Sequence, residues 1–194
     1  MNHKTVITTL LFGISSLAVA ANSEPIKVCE LLQATSLAPW GYGAHPKTDS
    51  QSHNYGKAQV DAPSDVHSDM CILRGENAEA QGATIIVVES LSDDASADDM
   101  ARWIKVTAER TKEPGVTAEE MQIGEATCES GKYDLPVEGQ PALQYYVACD
   151  RLVGTRHLTV NMQQREEAKL PAPPQVKELL DQAAAGLTPA LKSL

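Results

Sequence analysis

Aromatic side chains are scarce: Phe, Trp and Tyr make up 4% of the 194 residues. Any core must therefore be largely aliphatic. Positive charge is scarce too, with 16 Lys and Arg against 26 Asp and Glu and a formal net charge of −10. That balance argues against nucleic acid and anionic membrane surfaces as partners, and it favours solubility or a basic protein partner. Beyond the first twenty positions no stretch approaches the roughly 20 apolar residues that span a bilayer, so stable membrane insertion is not expected. The signatures of common enzymes are missing as well. There is no GxSxG elbow, no HExxH, no SxxK and no glycine-rich phosphate loop, and Gly41-x-Gly43 is too sparse for a nucleotide site. No catalytic residue and no cofactor is expected from these absences.

What is present starts with an address. Lys4 precedes a short apolar run from Val6 to Leu17, and Ala18-Val19-Ala20 offers the small-x-small pattern of a signal-peptidase site. Residues 1–20 read as a signal peptide. Residues 21–194 then form a single disulfide-stabilised domain, destined for the periplasm or for secretion. Cys29 follows Ile26-Lys27-Val28, whose lysine does not suit a lipobox, so a lipid anchor is set aside. The four cysteines, Cys29, Cys71, Cys128 and Cys149, are an even number in an oxidising compartment, which points to two disulfides. Three pairings are possible. Cys29–Cys71 with Cys128–Cys149 is preferred, because the second pair falls on apparently neighbouring strands. No CxxC or Cys/His spacing of a structural zinc site occurs.

Periodicity supplies the elements. Val28, Leu31, Leu32 and Thr35 share a helical face ending at Pro39. Residues 70–74 and 83–91 read as paired strands, the second a central one because Ile85 to Val88 is unbroken apolar chain. A helix follows, opened by Ser96 with Asp99 three residues on and burying Met100, Trp103 and Ile104. Strands over 121–129, 142–152 and 155–164 come next, the last two joined as a hairpin through Val153-Gly154. A final helix over 175–187 buries Val176, Leu179, Leu180, Ala183 and Leu187. The order helix, strand, strand, helix, strand, strand, strand, helix predicts an α+β fold, an antiparallel sheet of about five strands with helices packed against it. Between the first helix and first strand, residues 38–69 read as a long polar loop tethered by the Cys29–Cys71 bond.

Four features, Cys29-Glu30-Leu31-Leu32, Cys71-Ile72-Leu73, the mid-chain amphipathic helix and the "YYVACDRLVGTRHLTVNM" hairpin, resemble small exported domains of the PsbP-like α/β sandwich type. The likeness covers most of the mature chain and rests on pattern and order. Members of that fold group generally bind partners, so the resemblance implies a binding role.

The loop holds the candidate site residues. Trp40 and Tyr42 in a glycine-rich setting suit anchors that fill a partner's pocket, although Trp40 could instead fold back over the core near Leu37. Asp61, Asp65 and Asp69 would steer a cationic partner. His45, His53 and His67, among the same aspartates, are weak metal candidates, since ligands scattered over irregular chain have no set geometry. His157 is expected on an exposed face near Arg156 or Asp150, as a salt-bridged histidine. Two functions follow. The first is a non-catalytic binding protein acting through protein contact, such as an inhibitor or immunity protein that neutralises a basic envelope-active enzyme. The alternative is a small periplasmic enzyme or metal-binding protein using residues 45–69.

Overall fold

Seven strands form one antiparallel sheet in the computed structural model, which describes residues 26–42, 46–75, 82–91, 95–110, 117–134 and 143–192. The expected signal peptide lies outside the described residues. The strands are β1 (Lys47–Tyr55), β2 (Val66–Arg74), β3 (Ala83–Leu91), β4 (Thr117–Ile123), β5 (Ala126–Asp134), β6 (Leu143–Val153) and β7 (Arg156–Gln164). Their order across the sheet is β1-β2-β3-β7-β6-β5-β4. Each hairpin thus builds outward from a centre made by β3, β7 and β6. The helices are α1 (Lys57–Val60), α2 (Ala97–Arg110) and α3 (Pro173–Lys192), with 3-10 turns at Val28–Glu30, Ala34–Trp40 and Glu167–Lys169.

This corrects the expected count of about five strands and the expected element order. The supposed loop 38–69 contains β1, which pairs with β2 along its whole length, from Lys47 opposite Arg74 to Tyr55 opposite Val66. The single strand expected over 121–129 is two, β4 and β5, joined by a two-residue turn at Gly124-Glu125. Gly124 has φ of 63°, and Gly154 holds the same φ at the same place in the β6–β7 turn. A glycine at the first turn position accepts this left-handed backbone without strain, which suits the right-handed twist of the flanking strands. The first segment forms short 3-10 turns, not the expected helix. Cys29 is bonded to Cys71 of β2, and Leu31 presses against Gly186 of α3, where an added Cβ would lie 3.3 Å from Leu31 Cδ2. Fixed to two neighbours at once, the segment takes the conformation its contacts allow.

The main core lies on one face of the sheet. Alternate residues of the central strands, Cys71, Ile86, Val88, Leu158, Val160, Met162, Val147 and Cys149, point there and are buried. Over the β5–β6–β7 side they meet Val176, Leu179, Leu180, Ala183, Ala184 and Leu187 of α3, and over the β1–β2–β3 side Val28, Leu32, Leu37 and Tyr42 of the opening segment. Each fully buried aliphatic side chain contributes roughly 1.5–3 kcal/mol. Arg151 fastens β6 to α3 by donating to Asp181 at 3.2 Å, an acid also held by Lys177 at 2.6 Å. On the opposite face α2 covers only one end, where Met100 and Trp103 pack with Ala62, Val66, Leu91 and Leu152. Ile85 and Val87 on that face are half-buried, so β3 is less fully covered than its apolar run suggests. The α2 start is as read: Ser96 Oγ accepts from the Asp99 backbone N–H, and Asp99 accepts from Ser96 N–H at 3.0 Å.

Candidate functional site

The residues singled out in loop 38–69 do not converge. Tyr42 is 4% exposed and belongs to the core; burial pushes its hydroxyl pKa up, the neighbouring Thr84 hydroxyl opposing this in part. Trp40 packs half-buried against the same core. Tyr42 is thus no exposed anchor, and Trp40 takes the alternative of folding back over the core. Asp69 is only 2% exposed; it accepts from Ser52 Oγ at 2.6 Å and lies 3.0 Å from His67 Nε2. It also sits near buried Arg156, where its charge opposes the fall in guanidinium pKa caused by desolvation. An acid so enclosed steers nothing. Asp65 accepts the Lys57 backbone N–H at 2.8 Å and so caps α1, while Asp61 is exposed with φ of 52°.

The histidines separate in the same way. His53 and His67 sit at adjacent register positions of opposite facing: His53 lies beside Ser68, and Asn54 beside His67. Both His67 nitrogens are occupied, Nδ1 with Asn54 Oδ1 at 2.6 Å and Nε2 with Asp69. His45 lies outside the described residues. Among the described residues no group of three or more His, Cys, Asp or Glu could hold a metal ion. Ser52, His67 and Asp69 do lie together, but the serine hydroxyl donates to the carboxylate and not to the imidazole. That order is not the one of a Ser-His-Asp triad, in which the imidazole accepts from the serine.

His157 is more enclosed than the sequence suggests. It sits on the face beneath α2, its side chain 13% exposed, with Nδ1 3.1 Å from Glu89 Oε2 and Nε2 3.1 Å from Asp150 Oδ2. The expected partner Asp150 is present, and Glu89 from β3 is an unforeseen second. Burial alone would lower its pKa; the two carboxylates outweigh that and hold it at about 9. An imidazolium gripped at both nitrogens is a cross-strand clamp, unsuited to general base work.

A surface cleft lies elsewhere among the described residues. Beyond the first turn of α3, the core face over β4, β5 and β6 is uncovered and forms a cleft of about 460 Å³. Its floor is Ser130, Lys132, Tyr145 and Val147, with Glu119 on the β4 side. Its far wall is Glu167 and the Leu170-Pro171-Ala172 connector. The connector is stiff because Pro173 opens α3 and Pro171 is buried, and Ala172 N–H is already satisfied by Gln175 Oε1 at 2.8 Å. Strand alternation sets Met121 two residues from Glu119 and Leu143 two residues from Tyr145, on the same face. Both are among the exposed large hydrophobics, at 39% and 38%. The cleft is thus flanked by apolar side chains, with acids at Glu119 and Glu167 and the cation of Lys132 in its floor, while exposed Glu120, opposite Glu129, turns to the other face of the sheet. Such a surface can take an apolar or basic side chain from a partner. Sequence reading missed it, although Met121 and Glu119 at like parity were its trace.

Two disulfides lie within the described residues, Cys29–Cys71 and Cys128–Cys149, the pairing preferred from the sequence. No described helix is long and apolar enough to cross a membrane. No family model and no curated protein matches the chain. Among solved structures it is similar to the extracellular domain of PknH from Mycobacterium tuberculosis, at 10% sequence identity and a TM-score of 0.49, covering 86% of this chain and 98% of that one.

Proposed function

We propose that this chain is an exported, non-catalytic binding protein that engages a basic protein partner through the β4 edge and its adjoining cleft. The observation that carries the reading is the coincidence of exposed Met121 and Leu143 with an acid-rimmed cleft on one face. Apolar anchors at the centre and charge around them is how small interfaces combine affinity with a fast approach. The leader-like opening, the two disulfides and the net charge of −10 support an exported protein with a cationic partner. In its more specific form the partner is a basic enzyme acting on the cell envelope, and this chain is its inhibitor or immunity protein. The sequence resemblance to PsbP-like domains supports binding over chemistry in the same direction. The alternative built on residues 45–69 has less support, because among the described residues His53 and His67 face apart and both His67 nitrogens are already hydrogen-bonded.

The test is capture from envelope extract with the mature chain and with a Met121→Asp/Glu119→Lys variant. A basic protein should be retained at low salt by the first, released as salt rises, and lost with the second. Recovery of no specific partner at low salt, or equal retention by the variant, would overturn the proposal.

A further inference from the structure

The opposite edge of the sheet carries a different pattern. Every residue of β1 except Gln51 is exposed, and one long edge of this nine-residue strand has no neighbouring strand among the described residues. An open edge is a template for another strand. What distinguishes β1 is that its sequence, KTDSQSHNY, is complementary to itself when reversed. Placed antiparallel to a copy about Gln51, it sets Lys47 opposite Tyr55, Thr48 opposite Asn54, Asp49 opposite His53, Ser50 opposite Ser52 and Gln51 opposite itself. The Asp49 carboxylate faces an imidazole that can donate a hydrogen bond to it, and the cation of Lys47 meets an aromatic ring. No like charges face each other in this register.

The sheet already separates the residues of β1 into two sets. Ser52 and Asn54, though exposed, lie on the Cys71 face of the sheet, bonded to Asp69 and His67 of β2. Lys47, Asp49, Gln51, His53 and Tyr55 alternate with them on the other face, and these five form the symmetric ladder. Within that row the strand is already ordered: Gln51 Nε2 donates to Asp49 at 3.1 Å, and the His53 and Tyr55 rings lie 6.0 Å apart. A side-chain row held in place loses less freedom on association. Antiparallel partners must also set residues of equal parity opposite each other, and a two-fold axis through Gln51 satisfies this along all nine positions. We infer that β1 is a self-association edge. A second copy of the chain docks there, β1 against β1, about a two-fold axis, and the two sheets become one continuous sheet. The edge lies at the far side of the sheet from the cleft, so this inference stands apart from the proposed function.

Sedimentation velocity over a concentration series, with the mature disulfide-bonded chain, reads the outcome. The wild type forms a dimer. His53→Asp sets two carboxylates opposite each other, and Asp49→Lys sets a cation against His53; each weakens the dimer about tenfold or more. Asp49→Lys/His53→Asp together sets a cation opposite a carboxylate and recovers the dimer. All are exposed positions, and a thermal melt confirms that folding is unchanged. Gln51→Cys gives a second reading that needs no charge change: under mild oxidation it cross-links to its own copy, whereas Glu120→Cys on the other edge does not. A chain that stays monomeric throughout the series, or a dimer insensitive to the charge variants and uncross-linked at position 51, would overturn the inference.

Discussion

The two edges of this sheet, β1 and β4, are both polar, and yet they are built for different neighbours. Antiparallel pairing of β4 with its own copy about its central residue would set Glu120 against Glu120, a like-charge contact that disfavours the pair. The same operation on β1 sets Asp49 opposite an imidazole and Gln51 opposite its own copy, with no like charges facing each other. As proposed, one edge resists its copy and takes a basic partner, while the other accepts its copy. The disulfides follow the same division. Each lies one strand in from an edge, but Cys71 of β2 bonds out of the sheet to Cys29 in the covering segment, whereas Cys128 and Cys149 face each other directly across β5 and β6. The β1 side is clamped to its cover, and the β4 side strand to strand.

Removing each clamp is the strongest way to test that division. The Cys29–Cys71 bond spans 42 residues and the Cys128–Cys149 bond 21. By loop-closure entropy the first contributes about 4 kcal/mol and the second about 3 kcal/mol. Cys29→Ser/Cys71→Ser should therefore lower the melting temperature more than Cys128→Ser/Cys149→Ser. The difference should also be local: hydrogen exchange should rise first in β1 and β2 in the former and in β4 and β5 in the latter. Uniform loosening in both would show that the two halves are not separately held.

Much of the interior could be read from the sequence, because buried faces impose a period. Leu158, Val160 and Met162 alternate with polar residues, and Val176, Leu179, Leu180, Ala183 and Leu187 recur at helical spacing; both elements are where the pattern sets them. β1 could not be read this way. An edge strand with neither face covered carries no alternation, and its nine residues resemble a loop. The β4–β5 turn was hidden for another reason. Ile123 and Ala126 point to the same face, which no continuous strand permits because their parities differ; a two-residue turn at Gly124-Glu125 does permit it. That break of parity was the available signal. The candidate cleft was illegible for a third reason, since it arises where a helix ends over a sheet, and that relation belongs to the packing.

His157 joins the two halves at the centre of the sheet, with Glu89 from the β1 side and Asp150 from the β4 side. A free histidine titrates near 6.5, and this one at about 9. Because the folded value is the higher, its stabilisation is fully present below pH 6.5 and is lost as pH rises through 9. The full effect is roughly 3 kcal/mol. His157→Gln should destabilise the protein by about that much at pH 6, and the gap to wild type should narrow above pH 9. Urea unfolding at the two pH values measures it. A constant gap would mean that the histidine acts by packing and not by charge.

The smallest expected effect probes the seam where the two covers meet. Gly186 lies within α3, and an alanine Cβ there would stand 3.3 Å from Leu31 Cδ2, with Leu31 Cα and O at 3.7 Å and 3.8 Å. Replacing a helix-interior glycine by alanine gains about 1 kcal/mol of helix propensity. Against that, the Leu31 methyl must give by a few tenths of an ångström, while the backbone contacts stay at ordinary separation. A leucine terminus can rotate, so the two contributions nearly cancel, and Gly186→Ala should change stability by less than about 0.5 kcal/mol. A loss of about 2 kcal/mol or more would show that Leu31 cannot move. The Cys29–Cys71 bond would then be holding the opening segment rigidly against α3 as well as against β2, and the two sides of the molecule would share one cover.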